Sequence, residues 1–211
     1  MLYKIISTGS KGNAVVINGN ILIDCGVPFK ALNDVYRDLI IVLVGHIHSD
    51  HFKPSTVKKL ASERPTLRFV CGEWLVPDLV KCGVDKTKID VVRAKTEYDY
   101  GAFKIIPETL THNVPNFGWH IFIGDEKVFY ATDTGNLDGI EAKGYDLYMV
   151  ECNYEKGEIE ERIRQKEANG EFVYEYDVLN NHLDKAQTDE FILANIGDNS
   201  EYVYLHEHEK E

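Results

Sequence analysis

A short histidine-rich segment limits what this chain can fold into more than any other feature. It reads His46-Ile47-His48-Ser49-Asp50-His51 and follows, after Gly45, the apolar run Ile40-Ile41-Val42-Leu43-Val44. Such a run predicts a buried strand, which would deliver the imidazole and carboxylate groups to one edge of a sheet. These groups are ligands for zinc, and also for manganese or iron. A polar loop that is histidine-rich by chance is the alternative, but four potential ligands within six residues favour a metal site.

The spacing within this segment predicts how it would hold metal. If the segment is extended, side chains alternate between its faces, so His46, His48 and Asp50 point to one side. Pro54 favours the first turn of a helix, so His51 would turn off this line. This geometry suits two adjacent ions, one held mainly by His46 and His48 and the other by Asp50 and His51.

Further ligands must come from distant parts of the chain, because each ion needs four or more donors, water included. Three candidates stand where a predicted strand ends, namely His112, Asp133 and His206. The chain ends with a second histidine close by, His208. Either histidine could be the last ligand, and we favour His206 because it directly follows an apolar strand.

Length, charge and cysteine content exclude several classes of protein. A chain of 211 residues suits one domain. A formal net charge of −12 argues against a broad basic surface for duplex nucleic acid, although bound cations could still attract an anionic substrate. The four cysteines form no C-x-x-C pair, which is typical of reduced cytosolic thiols. Neither a charged leader nor a long apolar span is found, so we expect a cytoplasmic protein without a membrane partner. The sequence leaves the oligomeric state open.

Periodicity and turn signals predict alternating strands and helices. Asn18-Gly19-Asn20 between two apolar runs is typical of a tight hairpin. Other strands are predicted at 40–44, 67–70, 89–92, 103–107, 119–123, 127–131, 146–150 and 202–205. Helices are predicted at 28–39, 54–63, 73–82, 154–168 and 186–196. Strand hairpins with interspersed helices predict an α/β protein in which two sheets pack together with helices outside, a four-layer αββα sandwich.

With these residues in view, the chain resembles the metallo-β-lactamase-fold hydrolases. Within that superfamily it most resembles the small bacterial and phage members grouped with DNA exonucleases, and more distantly ribonuclease Z. The resemblance implies one hydrolase domain over residues 1–211. The matching motifs come in the family's order and span nearly the whole chain: Gly9-Ser10-Lys11-Gly12-Asn13, Ile23-Asp24-Cys25-Gly26, His46-x-His48-x-Asp50-His51, His112, Ala131-Thr132-Asp133-Thr134-Gly135, Asn181-His182-Leu183 and Leu205-His206.

The resemblance also implies a ligand set for two divalent metal ions, with zinc expected first and manganese as the alternative. The implied ligands are His46, His48 and His112 for the first ion, Asp50, His51 and His206 for the second, and Asp133 as a bridge between both.

Two residues outside the ligand set have implied roles. Asp24 would orient ligands by hydrogen bonds. His182 would stand near the leaving group and donate a proton to it, with a chemically inert helix-end residue as the alternative. The family usually has Ser or Thr two residues after this histidine, whereas this chain has Asp184, which would disfavour phosphate binding. Secreted zinc β-lactamases carry cysteine where Asp133 stands, which argues against antibiotic hydrolysis.

The sequence therefore predicts a dinuclear metal hydrolase, with a phosphodiesterase or nuclease acting on DNA, RNA or a nucleotide as the favoured activity. A metal-bound hydroxide would be the nucleophile, with Asp50 orienting the water or accepting its proton. One alternative is a hydrolase of a thioester, lactone or similar carboxylic derivative, and another is a non-catalytic metal-binding module. Phe117 and Trp119 would either line the pocket or belong to the core. The charged segment 155–166 would be either a solvated helix or a flap that meets a nucleic-acid backbone.

Overall fold

A computed structural model describes residues 1–207 of the chain. By its internal contacts the chain divides into two compact units, Met1–Tyr98 and Asp99–Glu211, and each is described by itself below. The single domain expected over residues 1–211 stays a prediction. Within the described residues, no helix is both long enough and apolar enough to cross a membrane.

The first unit is built on a six-stranded mixed sheet with the strand order β1-β2-β3-β4-β5-β6. The first two neighbouring pairs are antiparallel, and the remaining three are parallel. The predicted hairpin is confirmed, with Val15 opposite Ile23 across its two strands. The strands are β1 (Tyr3–Ser7), β2 (Ala14–Ile17), β3 (Ile21–Ile23), β4 (Ile41–Val44), β5 (Arg68–Cys71) and β6 (Ile89–Val91).

Two α-helices accompany this sheet, α1 (Pro54–Glu63) and α2 (Val76–Lys81). Pro77 lies in the first turn of α2, where proline is tolerated, so it begins this helix instead of kinking a longer one. The helix predicted over residues 28–39 is wrong: only a 3-10 turn forms, at Phe29–Leu32. Turns with i to i+3 hydrogen bonds follow it, so apolar spacing alone did not sustain an α-helix there.

The core of the first unit joins one face of the sheet to α1 and α2. Its central strand β4 is buried along its whole length. Val57 and Leu60 of α1 and Leu79 of α2 pack into the same cluster as Val42 and Val44. The buried β4 is what carries the chain to the histidine segment.

The second unit contains a six-stranded sheet with the strand order β12-β11-β10-β9-β8-β7. Its strand β10 pairs in parallel with β11, which pairs in parallel with β12. The pairs of β9 with β10 and with β8 are antiparallel. The strands are β7 (Tyr98–Asp99), β8 (Lys104–Leu110), β9 (Asn116–Ile123), β10 (Glu126–Ala131), β11 (Leu147–Glu151) and β12 (Glu201–Leu205).

Three helices belong to the second unit: α3 (Lys156–Asn169), α4 (Glu175–Asn181) and α5 (Lys185–Asn195). Phe191 and Ile192 of α5 pack on the sheet beside Phe129 and Tyr148. Helices α3 and α4 form a smaller apolar cluster of their own. Helix α4, which was not predicted from the sequence, is only seven residues long and directly precedes His182.

Candidate metal centre

In the first unit, candidate ligands follow the carboxyl ends of two adjacent parallel strands. Asp24 comes directly after β3, and His46 follows β4 by two residues. Parallel neighbours end at the same edge of a sheet, so the two loops meet there. The His46 ring lies 4.7 Å from the His48 ring and 4.2 Å from the His51 ring, measured between centroids.

The histidine segment is not extended throughout, which corrects the prediction. It turns at His48, whose carbonyl accepts hydrogen bonds from the amides of His51 at 2.9 Å and Phe52 at 2.7 Å. This turn brings the His51 ring back beside His46. The side chains of His46, His48, Asp50 and His51 still lie close together. A helical turn brings them together, and not the alternation of side chains along a strand.

Hydrogen bonds fix the tautomer of His51. Nδ1 lies 2.7 Å from Oδ2 of Asp24, and an ionised carboxylate can only accept, so Nδ1 carries the proton. The side chain of Asn13 supports this assignment. Its Oδ1 accepts a hydrogen bond from the backbone amide of Gly9 at 2.8 Å, so its Nδ2 is the atom that lies 2.8 Å from Nε2 of His51 and donates to it. Nε2 therefore carries a lone pair, which accepts the Asn13 hydrogen bond in this structure and which a zinc ligand needs.

Close backbone packing holds this loop against the Asp24 turn. A side chain at Gly26 would collide with the carbonyl of Asp50. The same carbonyl accepts the Asn13 backbone amide at 2.6 Å, and the Cys25 amide bonds the carbonyl of His51 at 2.9 Å. The Gly9–Asn13 and Ile23–Gly26 motifs thus serve to clamp the ligand loop.

In the second unit, candidate residues also lie at the carboxyl ends of strands that run the same way. His112 follows β8, Asp133 follows β10, and His206 directly follows β12. Asp133 is central, with Oδ2 3.8 Å from Nε2 of His112 and Oδ1 3.5 Å from Nε2 of His206. These three side chains, separated by up to 94 positions in sequence, are brought together as expected.

Neighbouring groups also orient the two histidines of this unit. Nδ1 of His112 lies 3.2 Å from the carbonyl of Asn181, which can only accept, so Nε2 faces Asp133 with a lone pair. The Asn153 amide lies 2.9 Å from Nδ1 of His206 and leaves its Nε2 towards the same carboxylate. His208, the alternative last ligand, lies outside the described residues.

His182 pairs with a carboxylate that the sequence analysis missed. Its Nδ1 lies 2.9 Å from Oε2 of Glu151, the last residue of β11, which is completely buried. The other oxygen, Oε1, accepts the Thr134 amide at 2.5 Å. Burial raises the pKa of the Glu151 carboxyl, while the hydrogen bond with His182 opposes that rise. Single ligand atoms of Asp133, Glu151, His182 and His206 lie within 4.8 Å of one another.

A signal for Glu151 was present in the sequence. It is an acid that ends an otherwise apolar strand, Leu147–Glu151, whose partners β10 and β12 end near Asp133 and His206. Parallel strands that end together place such residues side by side.

Three candidate site residues have left-handed backbone conformations. Asp24, Asp133 and His206 have φ values of 58°, 61° and 54°. Residues other than glycine adopt this region rarely, at a cost of about 1–3 kcal/mol each, and such residues cluster at functional sites.

The donor set in each unit fits a divalent metal ion. It consists of imidazoles and carboxylates without a cysteine, which suits zinc or manganese. The fixed Nε2 lone pairs of His51 and His112 support this fit.

The structure also shows the surroundings of Asp184, of the aromatic residues Phe117 and Trp119, and of the charged helix α3. Asp184 is the N-cap of α5, where its side chain accepts the Gln187 amide at 2.8 Å, which explains an acid at this position. Phe117 and Trp119 are both buried, as core aromatics are. Within α3, Arg164 pairs with Glu161 at 2.6 Å, as expected of a solvated helix, whereas Lys166 pairs with Glu175 of α4 at 2.8 Å.

Comparisons with known proteins identify a family and a fold. A model of the beta-lactamase superfamily domain matches residues 19–173 of the chain. No curated protein matches the sequence.

Solved structures resemble the whole chain at low sequence identity. The metallo-beta-lactamase fold protein YhfI from Bacillus subtilis has a TM-score of 0.74 at 16% identity, covering 99% of this chain and 86% of that one. Human tRNase Z, short form, has a TM-score of 0.73 at 13% identity, covering 98% and 92%. Zn²⁺-bound PqqB from Methylobacterium extorquens has a TM-score of 0.69 at 9% identity, covering 99% and 89%. At these identities the likeness is evidence for the fold alone.

Proposed function

This chain belongs to the beta-lactamase superfamily and has its α/β metallo-β-lactamase fold, and from this premise we propose that it is a phosphodiesterase or nuclease dependent on two divalent metal ions. The family and fold expected from the sequence are thereby confirmed. One observation carries the proposal beyond the family: His182, paired with buried Glu151, stands beside the candidate ligands Asp133 and His206. A proton donor at this position is what departure of an alkoxide requires.

The proposed ligands are those the resemblance implies, and each unit contributes part of the set. The first unit would supply the histidine segment, with Asp24 orienting His51. The second unit would supply three ligands grouped around one carboxylate. Support comes from the grouping within each unit and from the fixed lone pairs. The proposed ligands are His46, His48, Asp50, His51, His112, Asp133 and His206.

The chain's own groups divide the work of hydrolysis. Bound divalent ions would lower the pKa of a water molecule and neutralise charge on the phosphoryl oxygens. Asp50, whose side chain is 21% exposed, would orient that water or accept its proton. His182 would act in its doubly protonated form, in which Nδ1–H bonds Glu151 and Nε2 holds the proton for the leaving oxygen. Zinc is the proposed metal because the donor set suits it and because the PqqB neighbour is Zn²⁺-bound.

Two observations support a phosphodiester substrate. The structurally similar human tRNase Z is by its name a tRNA nuclease. Asp133 stands where zinc β-lactamases carry cysteine, and a hard carboxylate suits phosphoryl chemistry between two cations.

A second candidate is a hydrolase of a thioester, lactone or similar carboxylic derivative on the same metal site. The net charge of −12 favours it, because an acidic surface attracts nucleic acid poorly. The third candidate, a metal-binding module without activity, has no structural observation in its favour.

A substrate panel distinguishes these candidates. Metal-free protein is reloaded with zinc or manganese and given bis-(p-nitrophenyl) phosphate, short DNA and RNA, a thioester and a lactone. We expect phosphodiester turnover, and the His48→Ala variant, purified identically, controls for contaminating nucleases. Turnover of only the thioester or lactone would sink the phosphodiesterase proposal. Two bound ions with no turnover on any substrate would favour the non-catalytic module.

A further inference from the structure

The chain leaves its sheet just before the central carboxylate Asp133. Strand β10 pairs with β9 as far as Tyr130 opposite Trp119. Continued in the same register, Asp133 would lie opposite Asn116, but the backbone ladder has ended by then. The backbone around Asp133 therefore needs other partners.

Asn116 supplies those partners with one side chain. Its Nδ2 donates to the carbonyl of Thr132 at 3.0 Å and to the carbonyl of Asp133 at 2.8 Å. These carbonyls belong to the peptide planes before and after the Asp133 Cα. Holding both planes fixes φ and ψ of Asp133, which has the left-handed φ of 61°. Asn116 is only 2% exposed, so water does not compete for these bonds.

We propose that Asn116 is a positioning residue that sets the direction of the Asp133 carboxylate. This inference rests on the proposed function, in which Asp133 binds metal. A left-handed residue other than glycine relaxes to negative φ unless its surroundings prevent it. Relaxation would rotate the Cα–Cβ bond and move the carboxylate from its place beside His206 and His112.

Other contacts of the loop do not replace this one. Glu151 binds the amide of Thr134, and the Gly135 amide bonds the carbonyl of Thr111 at 2.7 Å. Both contacts lie after Asp133 and do not involve the peptide plane before it. Asn116 alone, among the hydrogen bonds described for this loop, contacts both planes.

The test compares metal binding by the full chain and three variants: Asn116→Ala, Asn116→Ser and Asn195→Ala. Asn195 is a matched control, because its buried amide also makes two backbone contacts, with Ala142 at 3.0 Å and Phe191 at 2.8 Å. Metal-stripped proteins are titrated with Co²⁺, whose visible spectrum reports ligand geometry. Circular dichroism checks folding at the titration temperature.

We expect Asn116→Ala to weaken Co²⁺ binding by about 10–100-fold and to alter its spectrum, as loss of a ligand-orienting group does. Asn116→Ser, which keeps one donor, should recover part of both. Asn195→Ala should lower the melting temperature but keep wild-type affinity and spectrum.

Wild-type affinity and spectrum in a folded Asn116→Ala protein would overturn the positioning role. If that variant does not fold, Asn116→Ser is judged by the same criterion. Failure of both to fold while Asn195→Ala folds would also overturn it, because Asn116 would then be needed for folding itself. If the wild-type chain binds no Co²⁺, both the proposed function and the positioning role of Asn116 are wrong. If the wild type binds Co²⁺ and Asn116→Ala binds it equally well, only the positioning role is wrong.

Discussion

Nδ1 of His51 lies 2.7 Å from Oδ2 of Asp24, and both side chains are almost completely buried. The other carboxylate oxygen accepts the Gly45 amide at 3.1 Å. Asp24 thus ties the loop after β3 to the beginning of the histidine segment and sets the tautomer of a candidate ligand.

Asp24→Asn should weaken zinc binding by about tenfold or more, because an amide orients the His51 ring less strongly than a carboxylate does. Competition with a chromophoric chelator measures the affinity. Asp34→Asn is the control, since its side chain is 88% exposed and should leave affinity unchanged. Equal affinities for all three proteins would contradict the role of Asp24.

His48→Ala and Asp133→Ala should each lower the metal content and abolish hydrolysis while the fold persists. One proposed ligand comes from each unit, so the two variants test both parts of the proposed set. Elemental analysis after dialysis gives ions per chain, and circular dichroism checks the fold. Two ions per chain in either variant would show that its residue is not a ligand.

His182→Ala should slow hydrolysis in a way that depends on the leaving group. Without a proton donor, departure of a poor leaving group such as a ribose hydroxyl should slow by about 10²–10⁴-fold. The p-nitrophenolate of bis-(p-nitrophenyl) phosphate leaves without a proton, so its release should change little. Glu151→Gln should show the same pattern more weakly. An equal loss on both substrates would assign His182 to metal or substrate binding instead.

His120 should make the stability of the protein sensitive to acid. Burial lowers its pKa, an effect that nearby Glu108 partly opposes, and Nδ1 lies 3.0 Å from the Tyr145 hydroxyl. The unfolded chain then binds more protons than the folded one below about pH 6.5, so the free energy of unfolding falls as pH falls through that value, by at most about 1.4 kcal/mol per pH unit.

Urea unfolding in EDTA at pH 7.5 and pH 5.5 measures this effect. His120→Gln keeps a polar group but cannot titrate, so its loss of stability between the two pH values should be smaller. The remaining histidines contribute to both proteins alike and cancel in the difference. An unchanged difference would mean that His120 does not control this response.

The sequence predicted those parts of the site that local spacing specifies. The hairpin before Asp24, strand β4 ahead of the histidine segment and helix α1 are each specified by a few neighbouring residues, and each forms where it was predicted. The direction of the segment was not predictable, because the turn at His48 depends on partners in the Asn13 and Cys25 backbone.

Residues that act through distant contacts escaped the sequence analysis. Asn116 carries no motif, and its role arises only when strands become neighbours in the fold, whereas Glu151 could be suspected as the acid that ends β11. Asp184 was interpreted from its neighbour His182 alone, whereas the helix it caps explains its identity. The apolar spacing over residues 28–39 predicted an α-helix, but a 3-10 helix and turns form there instead.

Gly135 backs directly onto the carbonyl of Asn180, so that any side chain at this position would strike the end of α4. Asp133 lies two residues before this contact, and His182 lies two residues after it. A substitution here would therefore disturb the positions of Asp133 and His182 together. A substitution at position 135 cannot shift one of these two side chains without the other. Directed evolution that aims to move only Asp133 or only His182 must therefore change other positions.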